Sequence, residues 1–139
     1  MTPELDSTLH ARISRFCELG DNFVERNDYG QALELYQYAW NLLPEPKNQW
    51  QAATWILTAM GDSHFLRGNC KAARSKLEEA LHCPDGCDNP FIRLRLGQAL
   101  LELGEAEKAA IMLGQAHELG GAEIFAGEDP KYLQHIEKS

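Results

Sequence analysis

Three glycines set the frame of this chain: Gly20, Gly61 and Gly97 each head the same pattern of small residues. Twelve positions after each comes an alanine (Ala32, Ala73, Ala109), and seven further on comes another (Ala39, Ala80, Ala116). A large apolar residue precedes each glycine (Leu19, Met60, Leu96), and Tyr36, Leu77 and Leu113 follow by sixteen. Self-similarity at such a period means one supersecondary unit used repeatedly, each copy burying its apolar face on the next. Small residues at fixed places let two antiparallel helices approach closely. Glycine in the first helix is expected to face alanine in the second, despite glycine's cost of about 1 kcal/mol in a helix interior.

The intervals are uneven, 41 positions from Gly20 to Gly61 and 36 from Gly61 to Gly97. The seven extra residues in the first interval come to nearly two helical turns, which lengthens a helix without rotating its faces. The spacing therefore predicts one long helix over 47–67, with Trp50 on its packing side. Thr2-Pro3 and Asn89-Pro90 read as helix starts, a capping side chain followed by proline at the first helical position. Turns are expected at Arg26-Asn27-Asp28, Arg67-Gly68-Asn69 and Leu103-Gly104-Glu105. A short helix from Pro130 is expected to lay Phe125, Tyr132, Leu133 and Ile136 over the open end of the last unit.

The segment F-C-E-L-G-D-N-F…A-L-E-L-Y-Q-Y-A…P, Phe16 to Pro44, resembles a tetratricopeptide repeat at its signature positions. The second copy, Leu57 to Pro84, is similar, with His64 where an aromatic is usual. The third, Arg93 to Gly121, has Arg93 where a large apolar residue is usual and ends in Gly120-Gly121 rather than proline. The resemblance implies an all-α fold, a right-handed helical-hairpin solenoid of three repeats with a C-terminal capping helix. A single domain over 1–139 follows, with repeat one at about 13–46, repeat two at about 47–87, repeat three at about 90–121 and the cap at about 122–138.

Composition narrows the partners. A formal net charge of -8 repels nucleic acid and anionic membrane surfaces and favours a basic partner. The N-terminal MTPELDSTLH is polar and acidic, so no signal peptide is expected, and no apolar run approaches a membrane span. Cys17, Cys70, Cys83 and Cys87 read as reduced thiols in a cytoplasmic protein. Cys83 and Cys87 with His82 lack a second ligand pair at finger-like spacing, so no metal is expected. Neither a cofactor motif nor a catalytic constellation is present. Asp21 and Asp62 recur at one repeat position, but solvated helix acids are far commoner than a general acid/base pair.

Function then rests on a surface. The resemblance implies a concave groove lined by the first helix of each repeat. Its positions transfer to Cys17, Asp21, Val24 and Glu25 in repeat one. Repeat two contributes Trp55, Thr58, Asp62, Phe65 and Leu66. Repeat three contributes Phe91, Leu94, Gln98, Leu101 and Glu102, with Arg95 at the margin. Trp55, Phe65 and Phe91 are expected as aromatic anchors ringed by charge. The alternative is that the long first helices or the C-terminal tail fold over and bury them. Members of the family that clamp an acidic chaperone terminus carry lysine and asparagine where this chain has Cys17, Asp21 and Asp62. A carboxylate would be repelled there, so the ligand is expected to be cationic or apolar. The chain is similar to bacterial immunity proteins, acidic binders that mask a toxin domain. The alternatives are a secretion-type chaperone cradling an export substrate and a scaffold subunit.

Overall fold

The computed structural model describes residues 4–138. Among them, α1 (Ser7–Glu25) pairs with α2 (Tyr29–Leu42), α3 (Gln51–Leu66) with α4 (Cys70–Leu81), and α5 (Pro90–Glu102) with α6 (Ala106–Gly120). A short 3-10 turn (Ala122–Phe125) leads to the last helix, α7 (Pro130–Lys138). The three hairpins stack in chain order, α2 against α3 and α4 against α5, as a repeat solenoid must.

Local chemistry sets the helix ends. Asp6 Oδ2 accepts from the backbone N–H of Thr8 and Leu9 at 3.1 and 3.2 Å and starts α1. The start expected at Thr2-Pro3 lies outside the described residues. Asp28, Asn69 and Asn89 cap α2, α4 and α5 in the same way. Asn27, Gly68 and Gly104 take positive φ (61°, 87° and 86°) in the three expected turns, where a left-handed residue ends one helix and reverses the chain.

The six repeat alanines are all fully buried. The glycines, however, face a different partner from the one expected. A Cβ added at Gly20, Gly61 or Gly97 would lie within 2.7 Å of Tyr36, Leu77 or Leu113, the residue sixteen positions on. Each glycine thus makes room for a large side chain from the second helix.

The single long helix over 47–67 does not form. Lys47–Gln49 is a 3-10 turn, Trp50 is extended (φ -96°, ψ 141°), and α3 begins only at Gln51. Two side chains explain the break. Lys47 Nζ donates to the carbonyls of Trp40 and Leu43 at 3.1 and 2.6 Å and closes the C-terminus of α2. Trp50, buried as expected, donates its indole N–H to Pro44 O at 2.8 Å. The extra residues cap one helix instead of lengthening the next.

Arg93, at a position that is usually apolar, donates to Cys87 O at 3.0 and 3.2 Å and to Gln115 Oε1 at 2.6 Å. It ties the loop after α4 to α6 with hydrogen bonds where an apolar side chain would use packing. Beyond Gly121 (φ 73°), Phe125 and Tyr132 are buried with Leu94, Leu113 and Ala116, and Leu133 and Ile136 pack at their edge.

A groove with one open half

The first helices α1, α3 and α5 carry all the expected groove positions, but these positions do not share one environment. Near α1 the groove is open. Asp21 and Glu25 are exposed, Trp55 is 48% exposed, and Cys17, Val24 and Thr58 are half-buried. Asp21 is held in place by Tyr36, whose hydroxyl donates to its Oδ1 at 2.6 Å. Burial first, then the charges of Asp21 and Glu18, push the Cys17 thiol up to about 11, so it is a neutral thiol at pH 7. Thr58 donates to Thr54 O at 2.6 Å. The Trp55 ring meets His10 edge-on at 5.9 Å between centroids. Beside it lies a recess of about 450 Å³ walled by Leu5, Ser7, His10, Trp50, Gln51 and Trp55 among others.

Near α5 the groove is filled by the chain's own C-terminal segment. Leu94, Arg95 and Gln98, expected as groove-facing residues, are buried. Arg95 is central, not marginal. Its Nε donates to Asp62 Oδ1 at 2.8 Å, and its Nη1 donates to Gln98 Oε1 at 2.8 Å and to Glu128 Oε1 at 2.7 Å. Gln98 Nε2 donates to the same Glu128 oxygen at 2.7 Å. The guanidinium carbon stands 4.9 Å from the centroid of Phe65 and 5.0 Å from that of Phe91, in cation–π range of both. Glu102 is exposed but engaged, accepting from Tyr132 Oη and Lys131 Nζ at 2.7 Å each. Those donors hold its carboxyl below the usual range, Lys131 foremost.

Besides the place of Arg95, this arrangement corrects two further expectations. Phe65 and Phe91 are half-buried with Arg95 between them, which leaves Trp55 as the one exposed anchor of the three. Asp62 is ion-paired and so does not project a free negative charge; burial raises its carboxyl, and Glu128 adds to this while Arg95 opposes it. The negative character of the groove therefore concentrates on Asp21 and Glu25. The physical reason is common to all three: a cation on α5 satisfies acids from the elements on both sides of it. Glu128 was missed because a single acid in a loop carries no local pattern. A signal did exist at longer range: Asp62, Arg95 and Glu128 lie at equal intervals of 33 residues, close to one repeat.

No protein-family model matches this sequence, and no curated protein matches it. Solved structures do. The Yersinia enterocolitica type III secretion chaperone SycD, in complex with a peptide of the translocator YopD, superposes at a TM-score of 0.73 and 17% identity over 98% of this chain and 95% of its own. The first tetratricopeptide-repeat domain of Spaghetti (RPAP3), bound to the HSP90 peptide SRMEEVD, superposes at 0.71 and 17% identity over 96% and 94%. PcrH, in complex with the chaperone-binding region of PopB, superposes at 0.66 and 14% identity over 99% and 96%. The chain has the tetratricopeptide-repeat fold.

Proposed function

We propose that this chain is a non-catalytic binding module that receives a segment of a protein partner in the open half of its groove. The observation that carries this is Trp55, a large aromatic left in solvent beside a recess that Glu4 and His10 help to wall, with Asp21 and Glu25 exposed further along α1. An exposed aromatic beside a recess is a common core of a binding hot spot. The carboxylates of Asp21 and Glu25, which have no ion pair among the described residues, favour a segment bearing lysine or arginine. Three proteins of similar fold and extent are described with a peptide or binding region of another protein, one of them a type III secretion chaperone. That favours an extended client, as for an export chaperone, over the masking of a folded toxin domain. Masking by an immunity-type protein is the narrower alternative, and it would use the same surface.

A displayed random-peptide library panned against the full chain tests this reading. Enriched sequences should combine a basic and an apolar residue, and Trp55→Ala should lose them. Enrichment that ignores Trp55→Ala, or no enrichment at all, would count against the groove as the binding surface.

A further inference from the structure

We propose that the C-terminal segment, residues 122–138, is a ligand of the groove held in cis. Glu128 then occupies a carboxylate seat made by Arg95 and Gln98, and the groove reaches its full length only when the segment leaves. This inference concerns regulation of the groove and rests on the groove being the binding surface.

The seat is built. Gln98 is fully buried and Arg95 7% exposed, and both donate to one oxygen of Glu128 at 2.7 Å. Arg95 is oriented from three other directions, by Asp62 and by the rings of Phe65 and Phe91. A guanidinium fixed in this way presents its remaining N–H to a carboxylate at little further entropic cost. Those groups lie on the repeats, and only the carboxylate comes from the segment.

The segment has the marks of an occupant that can leave. It departs from α6 at Gly121 (φ 73°), turns again at Gly127 (φ 84°), and ends in a helix of nine residues. A helix that short is not stable alone, so α7 persists only while docked. Docking rests on the buried Phe125 and Tyr132, on Ile124, Leu133 and Ile136 at their edge, and on polar contacts: Glu128, the pair of Tyr132 and Lys131 on Glu102, and His135 Nε2 against Ala106 O at 2.8 Å. Among the described residues α7 docks through one face, on α6 and the 3-10 turn, and leaves Pro130, Lys131, Gln134 and Glu137 exposed. Elements held from one side open locally at lower free energy than a core clamped from two.

What replaces the segment must satisfy Arg95 and Gln98. The competitor is therefore an extended peptide with an acidic side chain for the seat and apolar neighbours for the bed of Leu94 and Phe91 that Phe125 and Tyr132 now help to cover. A carboxylate is acceptable here, unlike at Asp21, because the cation lies in this half. The two halves of the groove would thus read opposite charges along one partner.

The test uses the full chain. Hydrogen exchange of the unmodified protein should show residues 122–138 exchanging at least tenfold faster than the α5 backbone. A synthetic peptide of residues 121–139 should bind the Glu128→Ala chain at least tenfold more tightly than the parent, since the parent's own segment competes at the high effective concentration of a tethered ligand. The same peptide carrying Glu128→Gln should lose that advantage. If 122–138 exchange only together with α5, the segment is a fixed cap and the proposal fails. It fails equally if the peptide binds parent and Glu128→Ala alike. The library peptides report on the open half and the peptide of residues 121–139 reports on the seat at Arg95, so a failure of the open half and a failure of the cis ligand are told apart.

Discussion

In the open half of the groove Trp55 and Asp21 stand in solvent, while in the closed half Arg95 and Gln98 are buried beneath the chain's own tail. Both sets sit on first helices of successive repeats. The repeat pattern alone therefore does not decide exposure. In a stack, a groove side chain is covered or bare according to what the next element places over it. At α5 that element brings Glu128 to a cation; at α1 and the start of α3 the described residues leave Trp55 bare. The result is one surface with two chemistries, exposed acids and an aromatic in one half and a buried arginine matched by Asp62 and Glu128 in the other.

The largest expected effect would break the closed half. Arg95→Ala leaves Asp62 and Glu128 without their shared cation, and removing one member of a buried pair costs about 3–5 kcal/mol. Both acids retain some contact with solvent, so about 3 kcal/mol is expected. It should be read as a lower urea midpoint together with faster exchange across 122–138. If neither moves, Arg95 is not what closes this half.

The open half should respond in the reverse sense. Trp55→Ala should cost about 2 kcal/mol in affinity for a selected peptide and at most about 0.5 kcal/mol in folding stability. Calorimetric titration and denaturation of the same variant give the two numbers. A large stability loss would place Trp55 in the core and erase the contrast between the halves.

A smaller effect is expected from charge alone. Asp21→Asn with Glu25→Gln keeps an acceptor for the Tyr36 hydroxyl and removes both carboxylates. Association with a basic peptide should slow several-fold at low salt and converge on the parent rate at high salt. An unchanged rate at low salt would show that these acids do not steer.

The smallest effect separates the groove from the hairpin behind it. Burial, then Arg67 and Lys76, hold the His64 imidazole below its ordinary 6.5, and its Nδ1 is buried with no hydrogen-bond partner among the described residues. As pH falls below about 6.5 the unfolded chain takes up this proton before the folded one does. Stability is therefore full above that pH and declines as pH drops toward the lowered folded value. His64→Phe should flatten this slope in the thermal midpoint and leave peptide binding at neutral pH unaltered. A slope that persists would move the acid sensitivity to other groups.

The repeat of Gly20, Gly61 and Gly97 with their buried alanines, the turns at Asn27, Gly68 and Gly104, and the start of α5 at Asn89-Pro90 were all legible in the sequence. Each depends on backbone conformation or on side-chain size at short range, and the order of residues records both. The break at Trp50 was not legible, because it is made by side-chain donors, Lys47 to the carbonyls of Trp40 and Leu43 and Trp50 to that of Pro44, which leave no mark in the repeat pattern. Nor was the split of the groove. Asp62, Arg95 and Glu128 come from three layers of the stack, and a charge is free or matched according to neighbours a full repeat away. The sequence determined which residues line the first helices; the tertiary structure decided which of them face solvent, because burial and charge pairing depend on what is packed across the groove.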